Sequence, residues 1–292
     1  MKVKFGTGQE QTQELRMIRD NLRIGEKALV LYILLMSSFL WREALFNLPY
    51  LPFLPFMDAI PGWVYSHLLL PSFLIGGAFV LLGFKFRTGL ILFGGILIFS
   101  IISSMPIFSN SLLFAGIIVL LGGLFPARPY VFNIQIALLY FGASINKLFD
   151  TDWWNGHFFD TLATVRHPMP LYNMLAPYFG DLVLAQALGV FTIGMELFLA
   201  ILFLFPKKTN LAVGLGLTLH IGILILTKGS LSLSFLYIMS CAYLTALDPI
   251  SQSYKFQLSA SNSYEIKGIY IIYLYFFILL STLLSPIILS RL

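Results

Sequence analysis

Among residues 182–206, "LVLAQALGVFTIGMELFLAILFLFP", a single side chain, Glu196, carries a charge. Few folds can absorb such a run, and its length is what an α-helix needs to cross a hydrocarbon core, about 20 mostly apolar residues. Runs of the same kind recur, giving nine candidate spans near 28–46, 66–84, 88–105, 111–126, 130–148, 181–205, 209–227, 231–247 and 266–289. With 58% hydrophobic and only 11% charged residues, the chain falls well below the roughly 25% charge of soluble domains. The expected fold class is all-α: a polytopic transmembrane helical bundle of about nine spans, with no soluble domain of any size.

The 18 Lys and Arg against 13 Asp and Glu give a formal charge of +5. An excess of this kind has to be read by location before a nucleic-acid partner is invoked, and most of it flanks the spans, so no nucleic acid is expected. With the N-terminus inside, thirteen of the 18 basic residues fall on one side, among them Lys2, Lys4, Lys27, Lys85, Arg87, Lys207 and Lys208. Arg42, Lys147, Arg166, Lys228 and Arg291 are left for the other. That asymmetry predicts a cytoplasmic N-terminus and an odd number of spans, with the C-terminus outside.

Three segments follow from this layout: 1–27, a cytoplasmic amphipathic segment; 28–250, the main transmembrane domain; and 251–292, an inner loop and final span. In the first, Leu15, Ile18, Leu22 and Ile24 are expected at the membrane surface, with Arg16, Arg19 and Arg23 reaching anionic head groups. The segment is too long and too acidic for a secretory signal. "MPIFSN" and "PARP" read as tight hairpin turns. Residues 47–65, rich in Pro and aromatics, and 149–180, the longest loop, both fall on the outer side. The lone cysteine, Cys241, excludes an intrachain disulfide and a cysteine metal cluster; no metal is expected.

Polar groups at membrane depth are the informative ones, because each is costly there and faces a partner or a cavity. Lys147 and Asn146 close the fifth span, Glu196 lies near the middle of the sixth, and His220 is central in the seventh; Asp181 and Asp248, at span ends, are expected to be solvated. Lys147 has two readings. It is a snorkelling end residue, or an amine in a partly desolvated pocket, tuned toward general-base chemistry. Its neighbours Asp150, Asp152, Trp153, Trp154 and His157 favour a built site, although two tryptophans also suit an interfacial belt. Glu196 needs a cation or donor, and His220 and Lys147 are the candidates; hydrogen-bonded helix glue is the plainer role. "RHPMP" reads as an ordinary turn, and Gly214, Gly216 and Gly222 are expected to permit close helix packing.

The stretch "YFGASINKLFDTDWWNG" resembles the lysine motif of the HTTM family, the membrane domain shared by vitamin K-dependent gamma-carboxylase and bacterial relatives. Those relatives include membrane proteins of sporulation-delaying-type toxin maturation. The elements that match are Tyr140, Phe141, Gly142, Lys147, Leu148, Asp152, Trp153 or Trp154, and Gly156. Downstream, "IGMELFLAILFLFP", "LTLHIGILIL" and "LTALDP" keep the family's order, so the similarity runs over about residues 15–250. The resemblance implies that Lys147 is a base acting on a reduced quinone, a vitamin K hydroquinone-like cofactor. Glu196 and His220 would be supporting catalytic residues, and Asn146, Trp153, Trp154 and Tyr140 would contact the cofactor. Asn146 stands where the carboxylase has a second lysine, and about forty residues follow Asp248 where the carboxylase carries a large extramembrane portion. The expectation is therefore quinol chemistry on a peptide or small substrate at the outer face, carboxylase-like or epoxidase-like. The expected location is a bacterial plasma membrane, with membrane lipid and a peptide substrate or partner membrane protein as associates. The alternative reading is a non-catalytic accessory factor for maturation or export of a secreted peptide. A transporter is a weaker third, since no inverted repeat is evident.

Overall fold

In the computed structural model, residues 23–39, 52, 54–103, 109–125, 130–180, 182–227 and 233–247 are described. Among them every regular element is helical and no strand occurs. The main helices are α1 (Ile24–Phe39), α2 (Val64–Leu82), α3 (Phe86–Ile102), α4 (Asn110–Leu124), α5 (Tyr130–Leu148), α9 (Val183–Leu204), α10 (Thr209–Leu226) and α11 (Leu233–Leu247). Short helices α6 (Thr151–Trp154), α7 (His157–Thr161) and α8 (Pro170–Leu175) lie between α5 and α9. Each matches an apolar run read from the sequence or, for the short ones, fills the 149–180 loop. The last run, 266–289, lies outside the described residues. So do residues 1–22, the "PARP" turn, most of "MPIFSN", and Arg42, Asp181, Lys228 and Asp248.

Among the described residues three helices are long and apolar enough to cross a membrane: α2 with 19 residues, α9 with 22, and α10, which with the preceding turn Pro206–Lys208 makes 21. Only 33%, 33% and 28% of their apolar windows are buried. The remainder exposes Leu74, Ile75, Phe191, Phe198 and Ile201, a surface suited to lipid rather than water. These helices mark a membrane protein. The other apolar helices α3, α4 and α11 are shorter, at 17, 15 and 15 residues.

The described residues form two compact units. The first, from Met1–Asn133 and Val213–Ile250, is built on α2, α3 and α4 packed in sequence, with α1 against α11, α2 and α4. Phe73 stacks on Phe93 at 4.3 Å and Tyr32 on Tyr237 at 4.3 Å. Close approach depends on missing side chains. A Cβ at Gly94 of α3 would lie 2.6 Å from the Leu120 amide nitrogen of α4, and one at Gly76 would lie 2.8 Å from the Phe93 nitrogen. Small residues at such crossings let apolar helices gain dispersion contact that lipid cannot supply. Gly214 and Gly222 do not serve this purpose, because a Cβ at either would meet nothing within 4 Å; helix contact is made on other positions.

Arg23 also departs from expectation. It is 5% exposed and does not extend toward head groups. It pairs with Glu26 one turn on, and its Nη2 donates to the Gly122 carbonyl at 3.1 Å. Arg87 Nε donates to the next carbonyl, Gly123, at 2.9 Å. The two guanidinium groups thus satisfy carbonyls at the C-terminus of α4, where the helix dipole favours cations.

In the second unit, Ile134–Ala212 among the described residues, the 149–180 segment folds as a cap seated on α9 through α6 and α7. Its core is Ala163, Met169, Tyr172 and Ala185, with Phe159 and Leu188 packed around it. Asp150 caps α6 by accepting the Asp152 amide at 3.0 Å. Gly156 turns the chain at φ 85°, a conformation that glycine adopts without strain. The "RHPMP" stretch is not a simple turn: Arg166 closes the helical turn Leu162–Arg166, and His167 to Met169 link it to Pro170 at the start of α8, with Met169 buried.

Candidate functional site

Helix α5 ends in a small-residue face, Ala143 and Ser144, followed by Lys147 in its last turn. Ser144 is fully buried, and its hydroxyl donates to the Ile193 carbonyl of α9 at 3.0 Å, holding the two helices together. Glu196 projects from α9 one turn beyond Ile193. The Lys147 stem folds back along its own helix, and Nζ meets Glu196 Oε1 at 2.8 Å, Oε2 at 2.7 Å and the Ala143 carbonyl at 3.3 Å. An ammonium has three donors and no acceptor, and here all three are engaged.

Trp153 completes the arrangement. Its ring centroid lies 5.0 Å from Lys147 Nζ, within reach of a cation–π attraction. Phe158 stacks on the Trp153 ring with centroids 4.3 Å apart. Trp153 is held in place because Gly189 of α9 carries no side chain; a Cβ there would lie 2.7 Å from the Trp153 carbonyl oxygen. The side chains of Lys147 and Glu196 retain only 17% and 13% exposure. The lysine therefore does not snorkel into open solvent: it is an ion pair in a mostly apolar, aromatic setting, where the two charges compensate each other's desolvation.

The other residues singled out from the sequence take separate places. Tyr140 is buried two turns before Lys147 on α5 and stacks on Phe203 at 6.1 Å. Asn146 is exposed, one position from Lys147 and so about 100° round the helix. Trp154 is half exposed, and its indole N–H donates to the Leu148 carbonyl at 2.9 Å, capping α5. His220 belongs to the first unit, where it is buried and meets the Phe235 ring edge-on at 5.1 Å. Of the two cations weighed for Glu196, Lys147 is the one paired with it.

One grouping lies outside the residues that sequence reasoning singles out. In the cap, the Tyr172 hydroxyl donates to Asp160 Oδ1 at 2.6 Å, and the Thr164 hydroxyl donates to the Asp160 carbonyl at 2.7 Å. These groups border a cavity of about 600 Å³ that also reaches Asn173, Leu182 and Leu184. Burial, with the Asp160 carboxylate as the second cause, pushes the Tyr172 phenol well above the ordinary tyrosine range. The phenol therefore remains a donor. Twelve residues separate the pair, and the only sequence signal was an acidic residue followed by an aromatic within a loop.

No family model, curated protein or solved structure matches the chain.

Proposed function

We propose that this chain is a nine-span membrane protein of the HTTM type, with its N-terminus in the cytoplasm of a bacterium and its C-terminus outside. In this reading the Lys147–Glu196 pair works on a hydroquinone-type lipid to modify a peptide or small substrate at the outer face. The observation that carries it is the lysine held by both oxygens of one carboxylate with an indole face alongside. A planar aromatic ligand suits these surroundings, since Trp153 and Phe158 make the neighbourhood of the ion pair aromatic and apolar. When bound, a reduced quinone would supply an acidic hydroxyl and reducing electrons.

The residues supply the proton handling. As an ion pair, Lys147 has no lone pair to offer. Transfer of one proton across the 2.7 Å contact to Glu196 leaves an amine and a carboxylic acid, a neutral pair that an apolar setting tolerates better than separated charges. The amine at Nζ is then the base, and on taking a proton it again becomes a cation facing Trp153. Glu196 thus acts as the proton store for Lys147.

The test is oxygen uptake by purified protein given vitamin K hydroquinone, comparing wild type with Lys147→Ala and Glu196→Gln. Loss of uptake in both, with normal yield of folded protein, supports the reading; full uptake in Lys147→Ala removes the lysine from the chemistry.

A second reading, a non-catalytic accessory factor, is favoured by the exposed aromatics of the cap, Phe149, Tyr178 and Phe179, which suit docking to another membrane protein. A stable protein partner recovered from native membranes, without a copurifying isoprenoid by mass spectrometry, selects it.

A further inference from the structure

The cavity in the cap has a chemistry of its own, separate from the Lys147–Glu196 pair. Its polar lining is dominated by acceptors. Asp160 lines the cavity with a carboxylate whose Oδ1 accepts from the Tyr172 hydroxyl, while Oδ2 has no hydrogen-bond partner among the described residues. Tyr172, 5% exposed, points its donor at Asp160 and so offers its oxygen lone pairs. Thr164 likewise spends its proton on the Asp160 backbone carbonyl. Among the described residues no lysine, arginine or histidine borders the cavity, and Asp160 is its charged side chain. Leu182 and Leu184 supply an apolar wall from the start of α9.

Such a lining fits a ligand with several donors, a positive charge and an adjoining apolar group. The volume of about 600 Å³ lies within the range of small-molecule and short-peptide sites, about 300–1,000 Å³. The raised phenol of Tyr172 keeps the hydroxyl protonated, so its bond to Asp160 persists across the physiological range and fixes the carboxylate's orientation.

We propose that this cavity binds a primary ammonium group carried on a short apolar segment, such as the free N-terminus of a peptide, with Asp160 as the charge partner and Tyr172 as its positioning residue. That the occupant is the substrate of Lys147 rests on the function proposed above; the preference for an ammonium does not.

Isothermal titration of the full-length protein in detergent at pH 6.5, with the tripeptide amide Leu-Ala-Leu-NH2 and its N-acetylated counterpart, tests this. The free amine is expected to bind about ten- to a hundredfold more tightly than the acetylated peptide, the range of a hydrogen-bonded charge. Asp160→Asn, which preserves shape and can still accept from Tyr172, should abolish the difference. Asn173→Asp, placing a second carboxylate on the cavity wall, should strengthen amine binding several-fold and leave the acetylated peptide unchanged. Lys147→Ala should retain the preference, so failure of the quinol chemistry and failure of this site are distinguishable. Equal binding of the two peptides, no measurable binding of either, or a preference that survives in Asp160→Asn overturns the proposal.

Discussion

A double-mutant cycle on Lys147 and Glu196 separates what the pair does for stability from what it does for chemistry. Removing one partner leaves the other charge in a setting where the side chains keep 17% and 13% exposure. For fully buried pairs the loss is about 3–5 kcal/mol; the residual access to water lowers the expectation to about 2–4 kcal/mol for Lys147→Met or Glu196→Gln. Lys147→Met also forfeits the contact over Trp153 at 5.0 Å, about 0.5–1 kcal/mol. The double variant leaves no lone charge, and replacing both members of a buried pair is commonly near neutral. It should therefore lose much less than the sum of the singles, with a coupling close to that sum, about 4–8 kcal/mol. Unfolding in mixed micelles with increasing dodecyl sulfate, followed by tryptophan fluorescence, measures this, and Trp153 sits beside the perturbed charge. The double variant should be folded, close to wild type in stability and inactive in hydroquinone-dependent oxygen uptake. Single losses that add within about 0.5 kcal/mol, the mark of independent sites, would refute the ion-pair geometry.

Other perturbations probe the framework. Gly94→Ala sets a Cβ 2.6 Å from the Leu120 nitrogen, where backbone must shift, so a loss of about 3 kcal/mol in the same micelle assay is expected. Gly189→Ala collides with the Trp153 carbonyl at 2.7 Å; it should cost about 1–3 kcal/mol and lower oxygen uptake by displacing Trp153 from Lys147. Trp154→Phe removes the indole bond to the Leu148 carbonyl, costing about 1 kcal/mol in thermal unfolding. The Tyr172 phenol is raised by burial and by Asp160, so the folded chain keeps a proton that the unfolded chain releases near pH 10. Stability should then fall as pH rises above about 10, and Tyr172→Phe should flatten that decline in unfolding curves taken at successive pH values.

How much of this could be read from residues alone follows the range of the forces involved. Helices α2, α3, α4, α5, α9, α10 and α11 start and stop within three residues of the apolar runs, because hydropathy is a local property that needs no partner. The first run begins four residues early, at Ile24, because Arg23 and Glu26 anchor that end against α4. Such an anchor depends on Gly122, a hundred positions away. For the cap, local sequence predicts only a loop. Its starting signals were present: Asp150 before "TDWW", Gly156 at a turn, Pro170 opening α8. None announces that these pieces stack on α9, which requires Gly189 to leave room for Trp153. Glycines are dense in the helix that holds His220, yet close contact is made at Gly76, Gly94 and Gly189. Composition marks small residues without saying which face they occupy.

The pairing of Lys147 with Glu196 shows how far an argument from cost alone can go. Charges at membrane depth demand a partner, so the sequence narrows Glu196 to two cations without choosing between them. The choice is made by helix geometry. Ser144 ties α5 to the Ile193 carbonyl, placing the last turn of α5 beside the one segment of α9 that carries an acid. A lysine stem folded back toward its own Ala143 carbonyl then delivers the ammonium to both carboxylate oxygens. If the hydroxyl of Ser144 sets this register, Ser144→Ala should weaken the pair without touching either charge. The measurable sign would be a smaller coupling energy in the Lys147/Glu196 cycle repeated on the Ser144→Ala background, and an unchanged coupling would assign the register to apolar packing of the two helices instead.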